Sequence, residues 1–244
     1  MFTFEPDTFG TLNASDYDAT QNPGTTDQTV AFLSQLAAGG RMLELAIGTG
    51  RIALPLSLAG HDVAGIEGSP DMVALLRQKP GGEALHVEIG DMADVDIAGT
   101  FDHIFLVFNT LFNLNTQEDQ IRLFQNVAQK LTPGGSFLVE TFVPDFKDFS
   151  NHQRVSSKNM TETSVWLEAA HHDPVAQRIA FQRLRITETG MKLVPFPMRY
   201  AWPSELDLMA RLAGLKLEDR FGDWERGPFH ADSKMHVSVY RKPA

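Results

Sequence analysis

An acidic residue lies four positions before a Gly-x-Gly turn in the segment Glu44-Leu-Ala-Ile-Gly-Thr-Gly50. An apolar strand that ends in such a turn and continues into a helix brings its backbone close to a nucleotide-like ligand. The continuation Gly48-Thr-Gly-Arg-Ile-Ala53 also fits the dinucleotide pattern G-x-G-x-x-G/A. A dinucleotide would place its anionic pyrophosphate here, where the Glu44 carboxylate repels it. S-adenosylmethionine (SAM) instead carries an ammonium and a sulfonium, which a carboxylate attracts, so Glu44 favours SAM.

Two further acids follow apolar segments that are typical of strands. The segment 61–66 ends at Glu67, about 20 residues beyond the first turn, where an acceptor for ribose hydroxyls is expected. The segment 84–90 ends at Asp91 beside Met92, whose apolar side chain suits an adenine ring. Acids at strand ends also cap the helices that follow them. Three such acids in succession, one of them at a Gly-rich turn, nevertheless indicate a cofactor site.

The chain resembles the class I SAM-dependent methyltransferases over nearly all of its length. The segment 44–51 resembles the first motif of that family, with Ala46 where a glycine is common. The segment 66–72 is similar to the second motif, and 131–140 is similar to the sequence around the fifth strand. Within the class, the chain is most similar to bacterial enzymes that methylate amines or hydroxyls of metabolites and modified peptides.

The resemblance implies a set of cofactor-binding residues. The first motif would hold the methionine end of SAM, Glu67 the ribose hydroxyls, and Asp91 the adenine ring. Residues after strand four would close the site, and Tyr17 resembles an N-terminal tyrosine that many small-molecule members fold over the cofactor. The full set is Tyr17, Glu44, Ala46, Gly48, Gly50, Arg51, Glu67, Gly68, Met72, Asp91, Met92, Phe108 and Asn109.

Composition narrows the class of partner. A chain of 244 residues with 43% apolar content can bury one substantial core and a small insertion. A formal charge of −10 without a basic run argues against a nucleic-acid substrate. The acidic, polar first 30 residues and the absence of a long apolar run predict a cytoplasmic enzyme with no signal peptide and no membrane span. We expect a monomer or homodimer that acts on a small molecule.

Helix and strand patterns alternate in the first part of the chain. The predicted strands are 42–46, 62–66, 85–89, 103–108 and 136–141, and the predicted helices are 28–38, 51–58, 70–78 and 117–131. Such alternation predicts right-handed crossovers and a parallel sheet. Ligands then bind outside the carboxyl ends of the strands, where the acids described above would lie.

The alternation stops between Pro144 and Trp202. Four antiparallel strands are predicted there, at 154–159, 164–170, 177–187 and 191–200, followed by a helix at 203–213 and strands at 215–221 and 237–241. The last loop is too short for a crossover helix, so the last strand should be antiparallel.

The predicted fold is therefore α/β: a doubly wound, Rossmann-like, seven-stranded sheet with a small antiparallel β cap inserted between strands five and six. The predicted domains are an N-terminal lid arm with little regular structure (1–27), the SAM-binding domain (28–143 and 203–244) and the cap (144–202).

Five residues are candidates for the substrate wall, namely Phe112, Asn113, Tyr200, Trp202 and Trp224. Phe112 and Asn113 follow strand four, where the resembled class places its substrate. Tyr200 and Trp202 share one face of the chain that leaves the cap. The aromatic rings can line a ligand pocket or pack as core, and both alternatives stay open. The segment 107–113 lacks the prolines that methyltransferases of nucleic-acid bases carry there, which is a second argument against a nucleic-acid substrate.

The histidines offer one candidate for general-base catalysis. His230 lies in the loop between the last two strands, and a neutral imidazole can remove a proton near pH 7. His171-His172-Asp173 looks like a metal cluster, but adjacent side chains of a strand point to opposite faces. With no cysteine in the chain, we expect no metal.

The sequence thus predicts a SAM-dependent methyltransferase that transfers a methyl group in line to nitrogen or oxygen of a metabolite or modified peptide. Two alternatives stay open. One is a module that binds SAM without catalysis. The other is an NAD-dependent oxidoreductase, which Glu44 and the absence of a basic phosphate site disfavour.

Overall fold

The computed structural model describes residues 7–14, 17–21, 23–37 and 39–244, and these residues form seven helices and eleven strands. The helices are α1 (Thr8–Asn13), α2 (Tyr17–Thr20), α3 (Thr26–Ala37), α4 (Ala53–Leu58), α5 (Pro70–Arg77), α6 (Gln117–Lys130) and α7 (Pro203–Leu212). The strands are β1 (Met42–Leu45), β2 (Val63–Glu67), β3 (His86–Ile89), β4 (Phe101–Leu106), β5 (Leu131–Phe142), β6 (Gln153–Met160), β7 (Ser164–Asp173), β8 (Arg178–Thr187), β9 (Gly190–Arg199), β10 (Lys216–Phe221) and β11 (Met235–Arg241).

Seven strands form one sheet in the order β10-β11-β5-β4-β1-β2-β3. The pairs among β1 to β5 are parallel, whereas β11 is antiparallel to both of its neighbours. The segment 222–234 between β10 and β11 contains no helix, so the chain returns as a hairpin rather than as a crossover. The predicted fold class, including the antiparallel last strand, is confirmed.

The central strands are covered on both faces. Every residue of β1 and β2 is buried, which explains why their apolar residues do not alternate with polar ones and only Glu44 and Glu67 interrupt them. Gly65 in β2 lets Ile47, in the turn after β1, pack directly on the sheet, because a Cβ at that position would come within 2.5 Å of Ile47 Cδ1. The turn after β1, which is predicted to bind the cofactor, therefore packs directly on β2.

Two predicted boundaries were wrong at the site end of the sheet. The strand predicted at 103–108 ends at Leu106, because Phe108 and Asn109 have φ angles of 60° and 62° and turn the chain away. The helix predicted from residue 51 begins at Ala53, after the turn that contains Gly50.

The N-terminal arm was predicted to have little regular structure, and this prediction was wrong for the described part, which contains α1 and α2. Gly10 lets α1 lie against the start of α5, since a Cβ there would come within 2.1 Å of Ser69 Oγ. Residues 1–6, 15, 16 and 22 of the arm, and residue 38 at the predicted end of the first helix, lie outside the described residues.

Strands β6 to β9 form a separate antiparallel sheet in sequential order, inserted between β5 and β10. Its apolar residues pack into the same core as the large sheet; Ile179, Phe196 and Met198 are among them. The prediction of an antiparallel cap is therefore confirmed as part of the fold. The division into domains at 1–27, 28–143 with 203–244, and 144–202 remains our proposal.

A buried ionic network fixes the point where the chain leaves the cap. Arg199 donates from Nη1 to Gln120 Oε1 and from Nη2 to Glu205 Oε1, both at 2.6 Å, and its carbonyl accepts from Gln120 Nε2 at 2.9 Å. Burial by itself would raise the pKa of Glu205, but hydrogen bonds from Arg199, Gln177 and Gln117 hold this pKa below its usual value. The network ties the end of β9 to α6 and α7, and so sets the position of the cap.

Replacing Arg199 should destabilise the fold. Arg199→Met removes the cation of a largely buried pair, so that Glu205 keeps only the hydrogen bonds from Gln177 and Gln117. We therefore expect a loss of roughly 3–5 kcal/mol in the free energy of unfolding, measured with urea. Glu218→Gln, which breaks the exposed pair with Arg241, is the control and should cost less than about 1 kcal/mol. Because the pKa of Glu205 is lowered, its contribution is present above the unfolded pKa of about 4.3 and is lost as the pH falls. Equal losses in the two variants at neutral pH would contradict this interpretation.

Candidate active site

A cleft of about 390 Å³ opens at the carboxyl ends of β1, β2 and β3. This is the position at which parallel α/β sheets bind their ligands. The structure brings eight of the thirteen predicted cofactor residues into its wall: Tyr17, Ala46, Gly48, Glu67, Gly68, Met72, Asp91 and Met92.

The turn after β1 has a left-handed backbone at three positions. The φ angles are 55° at Ala46, 58° at Gly48 and 82° at Gly50. A Cβ at Gly50 would come within 2.3 Å of Leu76 Cδ1, so only glycine fits between the turn and α5. The left-handed conformation costs a residue with a side chain roughly 1–2 kcal/mol, and Ala46 bears that cost in the wall of the cleft. Backbone strain of this kind is typical of a loop whose main chain must come close to a ligand.

Glu67 joins two loops at the floor of the cleft. Its Oε2 accepts from the Gly48 N–H at 2.7 Å and its Oε1 accepts from the Ser69 N–H at 2.9 Å. Burial raises the pKa of this carboxyl group, and the backbone N–H groups oppose that rise. Each oxygen keeps a lone pair for a further donor. The geometry is therefore compatible with the predicted role of Glu67 at the ribose hydroxyls.

Glu44 lies behind the Gly-rich turn and not in the wall of the cleft. Its Oε2 accepts from the Ala53 N–H at 3.0 Å, and the side chain is only 4% exposed. Burial raises the pKa of Glu44 to about 8, while the charge of Arg51 lowers it. The carboxyl group satisfies an N–H group at the start of α4 that has no partner within the helix. The structure thus shows the capping interaction that the sequence analysis gave as an alternative, and the role of Glu44 at the methionine end of the cofactor stays a prediction.

Gly50 and Arg51 also lie outside the wall of the cleft. The Arg51 guanidinium lies 5.1 Å from the centroid of the Phe108 ring and donates to Thr26 Oγ1 at 3.2 Å. Phe108 and Asn109 belong to the wall of a second, adjoining cavity.

Glu140, at the end of β5, was missed as a candidate residue. Its Oε2 accepts from the Phe108 N–H at 2.6 Å, which holds the left-handed backbone after β4. Burial raises the pKa of Glu140, and Arg51 lowers it. The signal was available, because Glu140 is another acid at the end of an apolar strand. What the sequence does not show is that its partner lies in a different turn, 32 residues away.

The end of the cleft at Asp91, which the sequence predicted to bind adenine, is bordered by the start of α6. Thr116 caps this helix by accepting from the Asp119 N–H at 3.1 Å. Asp91 accepts from the Ala93 N–H at 2.9 Å and lies 3.4 Å from Arg122 Nη2. Asp119 and Arg122 therefore join the wall beside Asp91, which the sequence did not predict because they lie on another element.

The second cavity, of about 350 Å³, lies between the large sheet and the cap. Its apolar wall comes from the end of β5 and from the cap, including Phe142, Phe181 and Phe196. Tyr17, Thr110 and Asn113 belong to the walls of both cavities, which therefore meet at these residues. If a cofactor occupies the cleft, the second cavity is the adjoining space in which a substrate can bind.

Of the five predicted substrate residues, the structure brings only Asn113 into a cavity wall. Phe112 is fully buried and packs edge-on against Phe142, with ring centroids 4.9 Å apart. Trp224 is buried in the core on the other face, 5.6 Å from the Phe32 ring. For these two residues the core-packing alternative is the one that the geometry supports.

Tyr200 and Trp202 attach the cap to the rest of the protein. The Tyr200 hydroxyl lies 3.0 Å from His172 Nε2, and the His172 ring stacks on Phe146 with centroids 3.8 Å apart. Trp202 is 41% exposed and packs edge-on against Tyr200. Neither residue lies in the wall of the two cavities described above.

His230 lies exposed in the loop before β11, where its Nδ1 accepts from the Asp232 N–H at 3.2 Å. It is in the wall of neither cavity. The geometry gives no support to its predicted role as a base.

A small cluster attaches α2 to the Gly-rich turn. Asp18 Oδ1 accepts from Thr49 Oγ1 at 2.5 Å, and Asp18 Oδ2 lies 2.6 Å from Lys79 Nζ. Lys79 also donates to the Thr49 carbonyl at 2.8 Å. Tyr17, next in sequence, is thereby held where the two cavities meet, and burial raises its pKa to about 12.

Within the described ranges, no three His, Cys, Asp or Glu side chains are grouped as they would be around a metal ion. No helix in the described part of the chain is long and apolar enough to span a membrane. Independence from metal remains a prediction.

Comparison with known proteins supports the cofactor assignment. A family described as a methyltransferase domain matches residues 42–135. The solved structure of the CcbJ methyltransferase from Streptomyces caelestis is 37% identical and covers 99% of this chain and 100% of its own, with a TM-score of 0.93. The cypemycin N-terminal methyltransferase of a Streptomyces species is 26% identical over 84% of each chain. A dTDP-3-amino-3,4,6-trideoxy-alpha-D-glucopyranose N,N-dimethyltransferase from Streptomyces venezuelae is 30% identical over 44% of each chain.

Removing the charge of Glu67 should weaken SAM binding. An amide cannot accept from both backbone N–H groups as a carboxylate does, and it attracts a ribose hydroxyl less strongly. We expect Glu67→Gln to raise the Kd for SAM by about 10- to 100-fold, or roughly 1–3 kcal/mol, by calorimetry. The control is Glu88→Gln, which changes an exposed acid of the edge strand β3. Unchanged SAM affinity in Glu67→Gln would refute the role.

Detaching α2 should loosen the arm without unfolding the protein. Asp18→Ala removes the contacts with Thr49 and Lys79, so amide exchange within residues 17–21 should become faster and the affinity for SAM should fall. The melting temperature should change little, since few core contacts are lost. Asp62→Ala, which breaks an exposed pair with Arg41 elsewhere, is the matched control. We also expect SAM to slow exchange in this segment of the wild type. If amide exchange in residues 17–21 changes neither in Asp18→Ala nor on addition of SAM, the arm is not coupled to the cofactor.

Proposed function

The chain belongs to the class I SAM-dependent methyltransferases, and we propose that it methylates an amine nitrogen of a small molecule or modified peptide. The methyltransferase family excludes the oxidoreductase alternative and supports a catalyst over a module that only binds SAM. The choice of nitrogen rests on the two cavity walls, whose described residues include no histidine that could serve as a base, and Asn113, which borders both cavities, offers an unpaired acceptor to orient the substrate.

The cleft fits SAM in shape and in charge. The left-handed turn at Ala46 and Gly48 leaves its backbone open to the cleft, and Glu67 offers lone pairs beside it. The described wall of the cleft holds three acids, Glu67, Asp91 and Asp119, against one arginine, Arg122. When bound, SAM supplies a methyl group activated by its sulfonium. The acidic surroundings favour a cationic cofactor.

Asn113 is placed to orient the acceptor. It belongs to the walls of both cavities, and its Oδ1 is buried without a hydrogen-bond partner among the described residues. A buried acceptor without a partner costs about 1–3 kcal/mol, which an N–H donor of the substrate would recover. Accepting one amine hydrogen would fix the direction of the nitrogen lone pair, and such alignment is a main source of rate in methyl transfer.

The surroundings favour an amine over a hydroxyl as the acceptor. Neither cavity wall contains a histidine among its described residues, and Tyr17, with a pKa of about 12, stays protonated near neutral pH. The two acids of the second wall, Asp145 and Glu168, are both paired with cations, which makes them weak bases. A hydroxyl acceptor would need a base. An amine can instead lose its proton when it enters an apolar wall such as that of Phe142 and Phe181, since desolvation disfavours the ammonium form.

The relatives and the charge of the chain support the same class of substrate. One relative is named for methylation of an N terminus and another for dimethylation of an amino sugar. A net charge of −10 disfavours a nucleic-acid substrate. We retain a small molecule or peptide as the acceptor, and a monomer or homodimer as the working form.

Removing the Asn113 acceptor should reduce turnover while SAM binding persists. Asn113→Ala should lower kcat/KM for an accepted amine by about 10- to 100-fold, with a change in Kd for SAM of less than about threefold. The panel contains amines, phenols and carboxylates, and mass spectrometry identifies the methylated atom. Asn159→Ala, in the exposed strand β6, is the control. Methylation of phenols alone, or full activity of Asn113→Ala, would refute the proposal.

A further inference from the structure

The cap carries a concentration of positive charge that the methyl-transfer site does not use. Three cations, Arg154, Lys158 and Arg183, lie in the wall of the cavity between cap and sheet. They surround one carboxylate, Glu168, at 3.3, 2.9 and 3.2 Å, respectively. One acid therefore serves three cations, in a chain whose net charge is −10.

Asp145, the other acid in this wall, does not neutralise the excess positive charge around Glu168. Asp145 has two lysines of its own, Lys147 at 3.8 Å and Lys234 at 3.4 Å. Glu168 is 3% exposed, and burying a carboxylate requires compensation, but a single well-placed arginine supplies it. The second and third cations exceed what the burial of Glu168 demands.

The two guanidinium groups are held in position by aromatic rings and retain donors. Arg154 lies 5.0 Å from the centroid of the Phe149 ring, and Arg183 lies 4.7 Å from that of Phe196. Arg154 Nε is buried and has no hydrogen-bond partner among the described residues. Fixed guanidinium groups with free donors match the oxygens of a carboxylate or phosphate.

The basic groups share their cavity with the acceptor site. Asn113 lies in the same wall, and Arg183 Nη1 also donates to Gln21 Oε1 of the arm at 3.4 Å. We propose that this cluster binds an oxyanion, a carboxylate or phosphate, on the part of the substrate remote from the methylated amine. The inference rests on the proposed function, because it says what binds the end of the substrate opposite the methylated amine. The substrate is then an amine with an anionic group, oriented between an acidic cofactor cleft and a basic cap.

Binding to the full-length protein loaded with S-adenosylhomocysteine tests this proposal without turnover. Two pairs of probes carry the oxyanion at the end of the chain opposite the amine and differ only in that oxyanion: ε-aminocaproate against pentylamine for a carboxylate, and aminohexyl phosphate against aminohexanol for a phosphate. Calorimetry at low salt should show one anionic member binding at least about tenfold more tightly than its partner, with a preference that declines as salt is added. The pair that shows the preference identifies the oxyanion.

Two variants and a control connect the preference to the cluster. Lys158→Met and Arg183→Met should each reduce the preference at least about fivefold, while Lys216→Met, on the exposed strand β10, should leave it unchanged. Equal binding within both pairs, no measurable binding of either anion at roughly 10 mM, or an unchanged preference in both cap variants overturns the proposal. An anion preference that persists when no amine is methylated would refute the proposed function alone, whereas methylation without the preference would refute this inference alone.

Discussion

The site depends on carboxylates that hold backbone N–H groups at one edge of the parallel sheet. Glu44, Glu67 and Glu140 each accept from an N–H group in a turn or helix start at that edge. The donors would otherwise lack partners at the starts of helices and in strained turns, and the buried carboxyl groups would lack solvation. Each hydrogen bond gives the N–H group an acceptor and the buried carboxyl group a donor. The turns that must come close to a ligand are therefore held in their left-handed conformation by the protein itself, which is the condition for precise placement of reacting groups.

The acids of the cofactor cleft and the cations of the cap give the molecule an electrostatic direction. Glu67, Asp91 and Asp119 lie in the wall of the cleft, and the cap presents Arg154, Lys158 and Arg183 in the wall of the adjoining cavity. In a space partly screened from water, such fixed charges act more strongly than they would on the surface. The described part of the arm contacts both sides of this space, since Tyr17 lies where the two cavities meet and Gln21 contacts the cap.

Much of the fold and of the cofactor side could be predicted from local patterns. Alternating helix and strand periods predicted the parallel sheet. The last connection predicted an antiparallel β11, because it is too short for a crossover helix. Strand-end acids such as Glu67 and Asp91 were found because the carboxyl ends of parallel strands all meet at one edge. These inferences need only the sequence order and the direction of the chain.

The directions of individual side chains depended on packing between distant segments. The sequence placed Glu44 at the right edge, but only the tertiary structure shows that it caps α4 from behind the turn. Trp224 follows β10 and His230 precedes β11, and both positions are typical of residues that line a ligand pocket. Trp224 is nevertheless buried against α3, and His230 is exposed to solvent. The grouping of Arg154 and Arg183 around Glu168 requires the pairing of three cap strands. Sequence therefore determined which elements meet at the site, through local periodicity and connection length, whereas long-range packing decided which side chains face it.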